Sequence, residues 1–322
     1  MTAVLAITVP FFALVLAGYL AAQRRLLPEA AIPGLNAFVL YFALPCMLFR
    51  FGAGTPILDL LNPAVLAVWV LCALLVVFVT IAFTLGPAVH LKDAAFGALV
   101  AAFPNTGFMG VPLLAALMGP AGVGPMITLL LADLFVTSSL CIALAQAHDA
   151  SGHGARDAAL KTLRGTLANP LPWAIAAGAL FSVAGLALPG PIDAVVKMLA
   201  DAATPVALFT IGAVLWRAGQ HAHTRTPPGR YLPVAAIKLF LHPLLVFAVG
   251  AAAVRLGAPL SAFQLAVMTL AAALPSASNV SLLAERYGAD NGRVARIILA
   301  STAAAFVSFT LLATLLGVQA RG

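Results

Sequence analysis

Charged residues are scarce in this sequence. Asp, Glu, Lys and Arg together make up 8% of its 322 residues, whereas 63% are hydrophobic and the mean hydropathy is +1.07. A soluble domain carries about 25% charged residues. So few charges cannot cover a water-facing surface, which excludes a soluble globular protein and predicts a chain embedded in lipid.

Cysteine is also scarce, and Cys46, Cys72 and Cys141 all fall within apolar stretches without CxxC spacing. This pattern predicts neither a disulfide framework nor a metal site, and no cofactor is expected. The net charge of +7 comes from basic residues in short loops, with no basic face and no interleaved aromatic residues. Nucleic-acid binding is therefore not expected.

Long apolar runs are what the sequence has in abundance. A membrane-spanning helix needs about 20 such residues, and the first run precedes Arg24 and Arg25 rather than following basic residues, which favours a retained helix over a signal peptide. The fold class predicted is an all-α polytopic membrane protein. Its ten predicted spans are residues 3–22, 33–51, 63–87, 93–118, 122–147, 170–188, 193–216, 231–255, 261–284 and 293–317.

The longest polar stretch divides these spans into two groups of five. We expect residues 1–147 to form a first five-helix repeat, 148–169 a cytoplasmic linker and 170–322 a second repeat. Lys and Arg number 12 in alternate loops and 4 on the other side. The positive-inside rule then predicts a multi-pass membrane protein with both termini outside the cytoplasm. Because five is odd, the second repeat runs inverted relative to the first.

A short internal sequence similarity supports the repeat. Residues 43–49 in span 2 read ALPCMLF and residues 203–209 in span 7 read ATPVALF, so four of seven positions are identical. The similarity falls at corresponding spans of the two halves. Inverted repeats of this kind are common in secondary transporters.

Proline and small polar residues interrupt spans 4 and 9, at residues 101–112 (AAFPNTGFMGVP) and 272–281 (AALPSASNVS). Backbone freed in mid-membrane is tolerated only beside protein or a water-filled cavity, and matched interruptions in two halves indicate a transporter binding site. Each interruption alone is better explained by a helix kink or a helix–helix hydrogen bond, and only the matched pair favours a substrate site. The predicted substrate-binding residues are Pro104, Asn105, Thr106, Gly107, Pro275, Ser276, Ser278 and Asn279.

Neither interruption contains Asp, Glu, Lys or Arg. The new helix N-termini that each break creates carry a partial positive charge and attract anions. We therefore expect an anionic substrate held by helix ends and neutral donors. Without an acidic residue there, a sodium site is not expected, and a proton or the membrane potential is the predicted driving force.

Ionisable residues within other spans are the candidates for ion coupling, because such groups are costly in a membrane. They are Asp133 in span 5, Asp201 in span 7 and His242 in span 8. The presence of Asp201 is explained equally well by a solvated position near the outer face of the membrane. His242 is explained equally well as a packed, hydrogen-bonded residue without a role in coupling. Lys238, close to the end of span 8, has a side chain long enough to reach the headgroups.

Four segments resemble the auxin efflux carrier family, including its bacterial short-loop members. The likeness extends over essentially the whole chain through the ten-span plan. The matching segments are FALP at 42–45, NTGFMGVP at 105–112, LPSASN at 274–279 and AERYG at 284–288.

This resemblance implies a fold related to bile-acid/sodium symporters, with spans 4 and 9 crossing. It also implies an elevator-like movement, often a homodimer and, through the bacterial members, a location in a bacterial inner membrane. The implied substrates are small carboxylates such as malonate, malate or auxin-like acids. Pro104, Asn105, Pro275 and Asn279 correspond to the residues that surround the substrate carboxylate in that family.

Two other functions fit parts of the sequence. A membrane receptor could bind an anion without moving it. An intramembrane hydrolase could use Ser276 or Ser278 with His242, but the segment lacks a GxSxG-like nucleophile turn. We therefore expect a transporter and not an enzyme.

Overall fold

The computed structural model describes residues 2–55, 62–146, 167–220 and 226–318. Within these ranges the structure is all-helical, and β pairing is limited to two isolated bridges. A lipid-embedded chain favours helices because each helix satisfies its own backbone groups. The predicted all-α membrane class is confirmed. Most of the predicted linker 148–169 lies outside the described residues.

Twelve helices follow one another along the described ranges. Seven of them, α1, α2, α3, α6, α8, α9 and α12, are long and apolar enough to cross a membrane. In chain order the helices are α1 (Thr2–Gln23), α2 (Glu29–Gly54), α3 (Pro63–Thr84), α4 (Leu91–Ala102), α5 (Thr106–Met118), α6 (Pro120–Gln146), α7 (Pro170–Ala184), α8 (Gly190–Gln220), α9 (Leu232–Arg255), α10 (Ala262–Ala272), α11 (Val280–Arg286) and α12 (Asn291–Leu315).

The three remaining predicted spans consist of shorter helices. Span 6 is the 15-residue helix α7. Span 4 is divided between α4 and α5, and span 9 between α10 and α11. The interruptions in the sequence thus coincide with interruptions of helical structure.

Local sequence signals fix several helix starts. The Asn62 side chain accepts hydrogen bonds from the backbone N–H groups of Ala64 and Val65, at 2.9 and 3.2 Å, and Pro63 occupies the first helical position of α3. Ser261 and Gln264 form a reciprocal capping box at the start of α10. Both arrangements satisfy N–H groups that have no partner within the helix.

Four of the helices contain a π-helical turn. Such turns are rare and often occur at functional sites. Asp133 begins one of them and Lys238 lies in another. The turns are Val39–Ala43 in α2, Thr106–Gly110 in α5, Asp133–Thr137 in α6 and Ile237–Leu241 in α9.

Burial separates the inner helices from the outer ones. In α4 every residue from Ala94 to Ala102 is buried, so other helices surround it. In α3, by contrast, Phe78 and Phe83 are 71% and 82% exposed. Large apolar side chains exposed on a helix of this hydropathy are typical of a lipid-facing surface.

Helices α1 and α8 approach each other backbone to backbone. A Cβ placed on Gly18 of α1 would overlap the carbonyl oxygen of Phe209 in α8, and one on Gly212 of α8 would overlap that of Val15. Only glycine leaves room for this approach, as is common where membrane helices pack closely.

Helices α2 and α7 make a second contact of the same kind. A Cβ on Gly178 of α7 would overlap the carbonyl oxygen of Phe49, and one on Gly52 of α2 would lie 2.8 Å from that of Ile175. Both contacts join a helix before residue 147 to a helix after residue 166. The packing therefore combines the two halves of the chain.

Candidate functional site

Both interruptions contain a proline, and the first begins where that proline prevents the helix from continuing. Helix α4 ends at Ala102, and Phe103 adopts an extended conformation with φ −100° and ψ 99°. The residue before a proline is disfavoured in the helical region, and Pro104 has no N–H to donate. Helix α10 ends at Ala272, three residues before Pro275, and Ala273 still has helical backbone angles (φ −81°, ψ −7°).

These extended segments pair with each other in the interior. The backbone N–H of Asn105 donates to the carbonyl oxygen of Pro275 at 2.8 Å, and the N–H of Ala277 donates to that of Phe103 at 3.0 Å. The backbone groups released by both helix breaks thereby satisfy one another, as buried backbone groups must. The structure thus brings the two predicted halves of the site together.

Ser276 anchors this crossing to two further helices. Its hydroxyl donates to the carbonyl oxygen of Val100 in α4 at 2.7 Å, and its backbone N–H donates to the hydroxyl of Ser301 in α12 at 3.2 Å. The Thr106 hydroxyl and backbone N–H both donate hydrogen bonds to the Pro104 carbonyl oxygen, at 3.3 and 2.8 Å. The hydroxyls of Ser276 and Thr106 are therefore engaged in holding the backbone.

Other polar groups at the crossing are left available. The backbone N–H groups of Gly107, Phe108, Ser278 and Asn279 make no backbone hydrogen bond to a described residue. The side-chain amides of Asn105 and Asn279 have no hydrogen-bond partner among the described residues either. Asn105 is 3% exposed and Asn279 is half-buried. Together they form a cluster of hydrogen-bond donors without partners, deep in the protein.

Two cavities lie at opposite ends of α2. One, of about 870 Å³, lies between α2, α8 and α11, and its lining includes Asn36, Arg217 and Glu285. The other, of about 440 Å³, lies between α2, α6 and α10, and its lining includes Arg50 and Ser261. The larger cavity reaches Ser281, whose hydroxyl donates to the Ser278 carbonyl oxygen at 2.9 Å.

The three coupling candidates have different environments. Asp133 and His242 are fully buried. The Asp201 side chain is 63% exposed and pairs with Lys197 at 2.6 Å, one turn earlier in the same helix. The structure therefore places Asp201 at the surface and the other two in the interior.

Sequence reasoning did not identify Lys238 as part of this region. Rather than reaching the headgroups, its side chain is fully buried, and Nζ donates to the Ala272 carbonyl oxygen at 2.7 Å. Ala272 is the last residue of α10, where a helix leaves carbonyl groups unpaired and carries partial negative charge. The sequence feature that indicates this contact is the spacing of Lys238 and His242, which are four residues apart and therefore lie on one helix face.

Within the part of the chain that the structure describes, no serine of the site is hydrogen bonded to a histidine. The Ser276 hydroxyl is bonded to Val100, and His242 is bonded to Lys238 through Nδ1 at 3.1 Å. Its Nε2 has no partner among the described residues. A hydrolase would need its nucleophile and base within hydrogen-bond reach.

Comparison with known proteins agrees with this architecture. The family model described as "Membrane transport protein" matches residues 3–154 and again residues 154–313. The "Putative malonate transporter" of Rhizobium meliloti is 26% identical over 94% of this chain and 92% of its own length. The "Uncharacterized transporter YfdV" of Escherichia coli K12 is 27% identical over 86% of each chain.

A more distant relative, an "Uncharacterized transporter" of Methanothermobacter thermautotrophicus, is 26% identical over 66% of this chain and 65% of its own. The family matches leave only a few residues at either end uncovered. With its helices, its paired interruptions and this coverage, the chain belongs to the membrane transport protein family, the auxin efflux carrier family that its motifs resemble, and is a membrane transporter rather than an enzyme.

Proposed function

We propose that the protein is a secondary transporter of small organic anions and binds the substrate carboxylate where its two interrupted spans cross. The observation that carries this proposal is the cluster of donors without partners formed by Gly107, Phe108, Ser278, Asn279 and Asn105. Because these donors are neutral and, except for the half-buried Asn279, belong to buried residues, they favour an acceptor that brings its own negative charge. A carboxylate has that charge and two acceptor oxygens.

The estimated binding free energies are consistent with a carrier that must also release its substrate. A helix N-terminus contributes up to about 2 kcal/mol to a partly buried anion, and a hydrogen bond to a charged group about 1.5–3 kcal/mol. Desolvating a carboxylate costs several kcal/mol. Helix α11 has seven residues, so its end contributes less than that of α5. The net result is modest affinity, lower than an arginine in the site would give.

The two cavities support alternating access. The larger one reaches Ser281, close to the second interruption, and the smaller one lies at the other end of α2, beside α6 and the start of α10. In the proposed elevator-like cycle, the body containing α3–α6 and α9–α12 moves against a scaffold of α1, α2, α7 and α8. The substrate then exchanges with one aqueous side at a time.

The glycine contacts support an inverted repeat of two five-span halves. Gly18 and Gly178 are 160 residues apart, as are Gly52 and Gly212. Their contact partners keep the same offset: Phe49 corresponds to Phe209, and Val15 corresponds to Ile175. A two-fold relation between the halves explains why α1 packs on α8 as α7 packs on α2.

The proposal includes ten membrane spans, both termini outside the cytoplasm of a bacterial inner membrane, and a homodimer. Arginine and lysine distribution supports the orientation, and the family resemblance supports the dimer. The relative from Rhizobium meliloti carries malonate in its name, so malonate is the first substrate to test. Binding of the anion without movement, as in a receptor, is the alternative.

Uptake into proteoliposomes tests the proposal. Labelled malonate, malate and indole-3-acetate would be offered to the purified protein, with and without an inside-alkaline pH gradient. Asn105→Ala and Asn279→Ala should each reduce saturable uptake at least tenfold. Asn169→Ala is the matched control, because this asparagine only caps α7, where its side chain accepts from Leu171 N–H at 3.0 Å.

The outcomes separate the alternatives. Loss of uptake in both site variants, with uptake retained in the control, supports a carboxylate carrier that works through the crossing. Unchanged uptake in both variants would move the site elsewhere. Binding of a carboxylate without any uptake by folded protein would favour the receptor.

A further inference from the structure

A second buried polar cluster lies beside the crossing, and the proposed substrate site does not use it. It begins with Asp133 in α6, which is fully buried. Its Oδ1 accepts hydrogen bonds from Trp69 Nε1 in α3 and from the Thr137 hydroxyl, both at 3.0 Å. Its Oδ2 has no partner among the described residues. A buried carboxylate with one free oxygen can accept a proton at that atom.

Lys238 and His242 of α9 complete the cluster. Both are fully buried, and Lys238 Nζ lies 3.1 Å from His242 Nδ1. In such a contact one nitrogen donates a proton and the other accepts it, since two donors would repel. When Lys238 is the donor, His242 is neutral and its ring proton is on Nε2. The pair then carries a single positive charge.

Trp69 joins the two parts of the cluster. Its indole N–H bonds to Asp133, and its ring lies 5.2 Å from the His242 ring, centroid to centroid. Asp133 also interacts electrostatically with Lys238 and with Cys141 of its own helix. Among the described residues, the titratable groups around the carboxylate are therefore Lys238 and Cys141, which interact with it, and His242, which contacts Lys238 and Trp69.

With an ionised Asp133, a protonated Lys238 and a neutral His242, the charges of this cluster sum to zero. Neutrality is expected, because an uncompensated charge in a dry interior is very costly. A carboxylate bound at the crossing would add one negative charge, which the neutral donors there do not cancel. One proton on Asp133 would restore neutrality to the body that contains both sites.

The two sites are directly connected through Lys238. Its Nζ donates to the Ala272 carbonyl oxygen at 2.7 Å. Ala272 ends α10, three residues before Pro275, whose own carbonyl accepts from Asn105. A change in charge around Lys238 thus acts on the segment that carries half of the substrate donors.

We propose that Asp133 is the proton-binding residue of this transporter and that Lys238 is the positioning residue that links its protonation to the substrate site. A proton from one aqueous side forms an O–H bond at Oδ2 when the carboxylate binds, and it returns to water on the other side when the carboxylate leaves. The inference rests on the proposed carboxylate transport. A sodium ion does not suit this place, because the ammonium of Lys238 already supplies the positive charge.

Asp133→Asn gives the sharpest test, because asparagine resembles the protonated acid. In proteoliposomes, exchange of labelled for unlabelled malonate needs only the loaded carrier and should stay within about threefold of wild type. Accumulation driven by an inside-alkaline pH gradient should fall at least tenfold. Asp201→Asn, an identical change at an exposed aspartate, should leave both rates unchanged.

Lys238→Met tests the positioning role. Without the ammonium, the ionised carboxylate loses its compensating charge, so the midpoint of uptake against pH should move to higher pH. Lys197→Met is the control, because Lys197 is 58% exposed and lies far along the chain from this cluster. A purely structural lysine would lower the amount of folded protein without moving that midpoint.

Results that contradict the inference differ from those that contradict carboxylate transport. If the wild-type protein transports neither malonate nor any of the other acids, carboxylate transport itself is contradicted. A pH-sensitive dye inside the liposomes measures proton flux. Malonate flux without an accompanying proton flux would overturn the role of Asp133 but leave carboxylate transport intact. Asp133→Asn accumulation that still follows the pH gradient also overturns that role.

Should Asp133→Asn fail to fold, Thr137→Val provides the second variant. It removes one hydrogen bond to the carboxylate and keeps every charge. Because that bond favours the ionised form, its loss should move the pH midpoint upward. An unmoved midpoint in folded Thr137→Val protein would contradict the proposal.

Discussion

The hydroxyl of Ser276 donates to the carbonyl oxygen of Val100 at 2.7 Å, joining segments 176 residues apart in the chain. Both groups are buried, so neither can turn to water instead. The bond holds the second interruption against α4, the helix that leads into the first. It is a direct tie between the two spans that form the candidate site.

Ser276→Ala should therefore destabilise the protein. The Val100 carbonyl would be left buried without that partner, which costs about 1–3 kcal/mol. Thermal unfolding in detergent should show a lower midpoint. Ser308→Ala is the control, because the Ser308 hydroxyl is buried and has no partner among the described residues; equal midpoints for the two variants would contradict the role of Ser276.

The close approach of α1 and α8 gives a second prediction. Gly212→Ala should lower stability by about 1–3 kcal/mol, because the added methyl group forces the two backbones apart. Gly219→Ala in the same helix is its control, since nothing lies within 4 Å of a Cβ there. That control should be neutral or slightly stabilising, as alanine is the better helix former.

A third prediction concerns the equivalent contact between α2 and α7. Gly52→Ala should behave like Gly212→Ala, since a Cβ at Gly52 would lie 2.8 Å from the Ile175 carbonyl oxygen. Gly54→Ala, two residues later with open space around it, should change the unfolding midpoint little. A tolerated Gly52→Ala would argue against the two contacts being equivalent.

Arg293 gives a fourth prediction. It is 2% exposed, and its guanidinium donates to the carbonyl oxygens of Arg230 and Asp93, at 2.9 and 2.8 Å. Arg293→Met should lower the unfolding midpoint clearly, because two backbone carbonyls lose a charged donor whose own side chain is buried. Arg255→Met, at an exposed position, should leave the midpoint within experimental error, and a similar loss in both would contradict this account.

Much of the fold follows from composition and spacing. The all-helical membrane class and the family could be predicted, because long apolar runs must form helices in lipid. Proline is the reason why spans 4 and 9 were predicted to be interrupted. The pairing of Asn105 with Pro275 agrees with the crossing that the resemblance implies. The roles of the predicted substrate residues stay predictions.

Contacts between distant helices could not be predicted in the same way. Nothing in the sequence near Trp69 indicates that its indole bonds to Asp133, 64 residues later. Likewise, the direction of the Lys238 side chain depends on the end of α10, which is brought close only by tertiary packing. The 160-residue offset of the glycines was present in the sequence, but it acquires meaning only once their contacts are known.

The glycine contacts also bear on how the protein is made. Both of them join an early helix to a late one, so the first half of the chain has no partner for Gly18 or Gly52 while it emerges from the ribosome. Chains are synthesised from the N-terminus at about 5–20 residues per second. The first half must therefore wait in the membrane with these surfaces uncovered, and it is during this interval that chaperones or proteases have most access to an incomplete molecule.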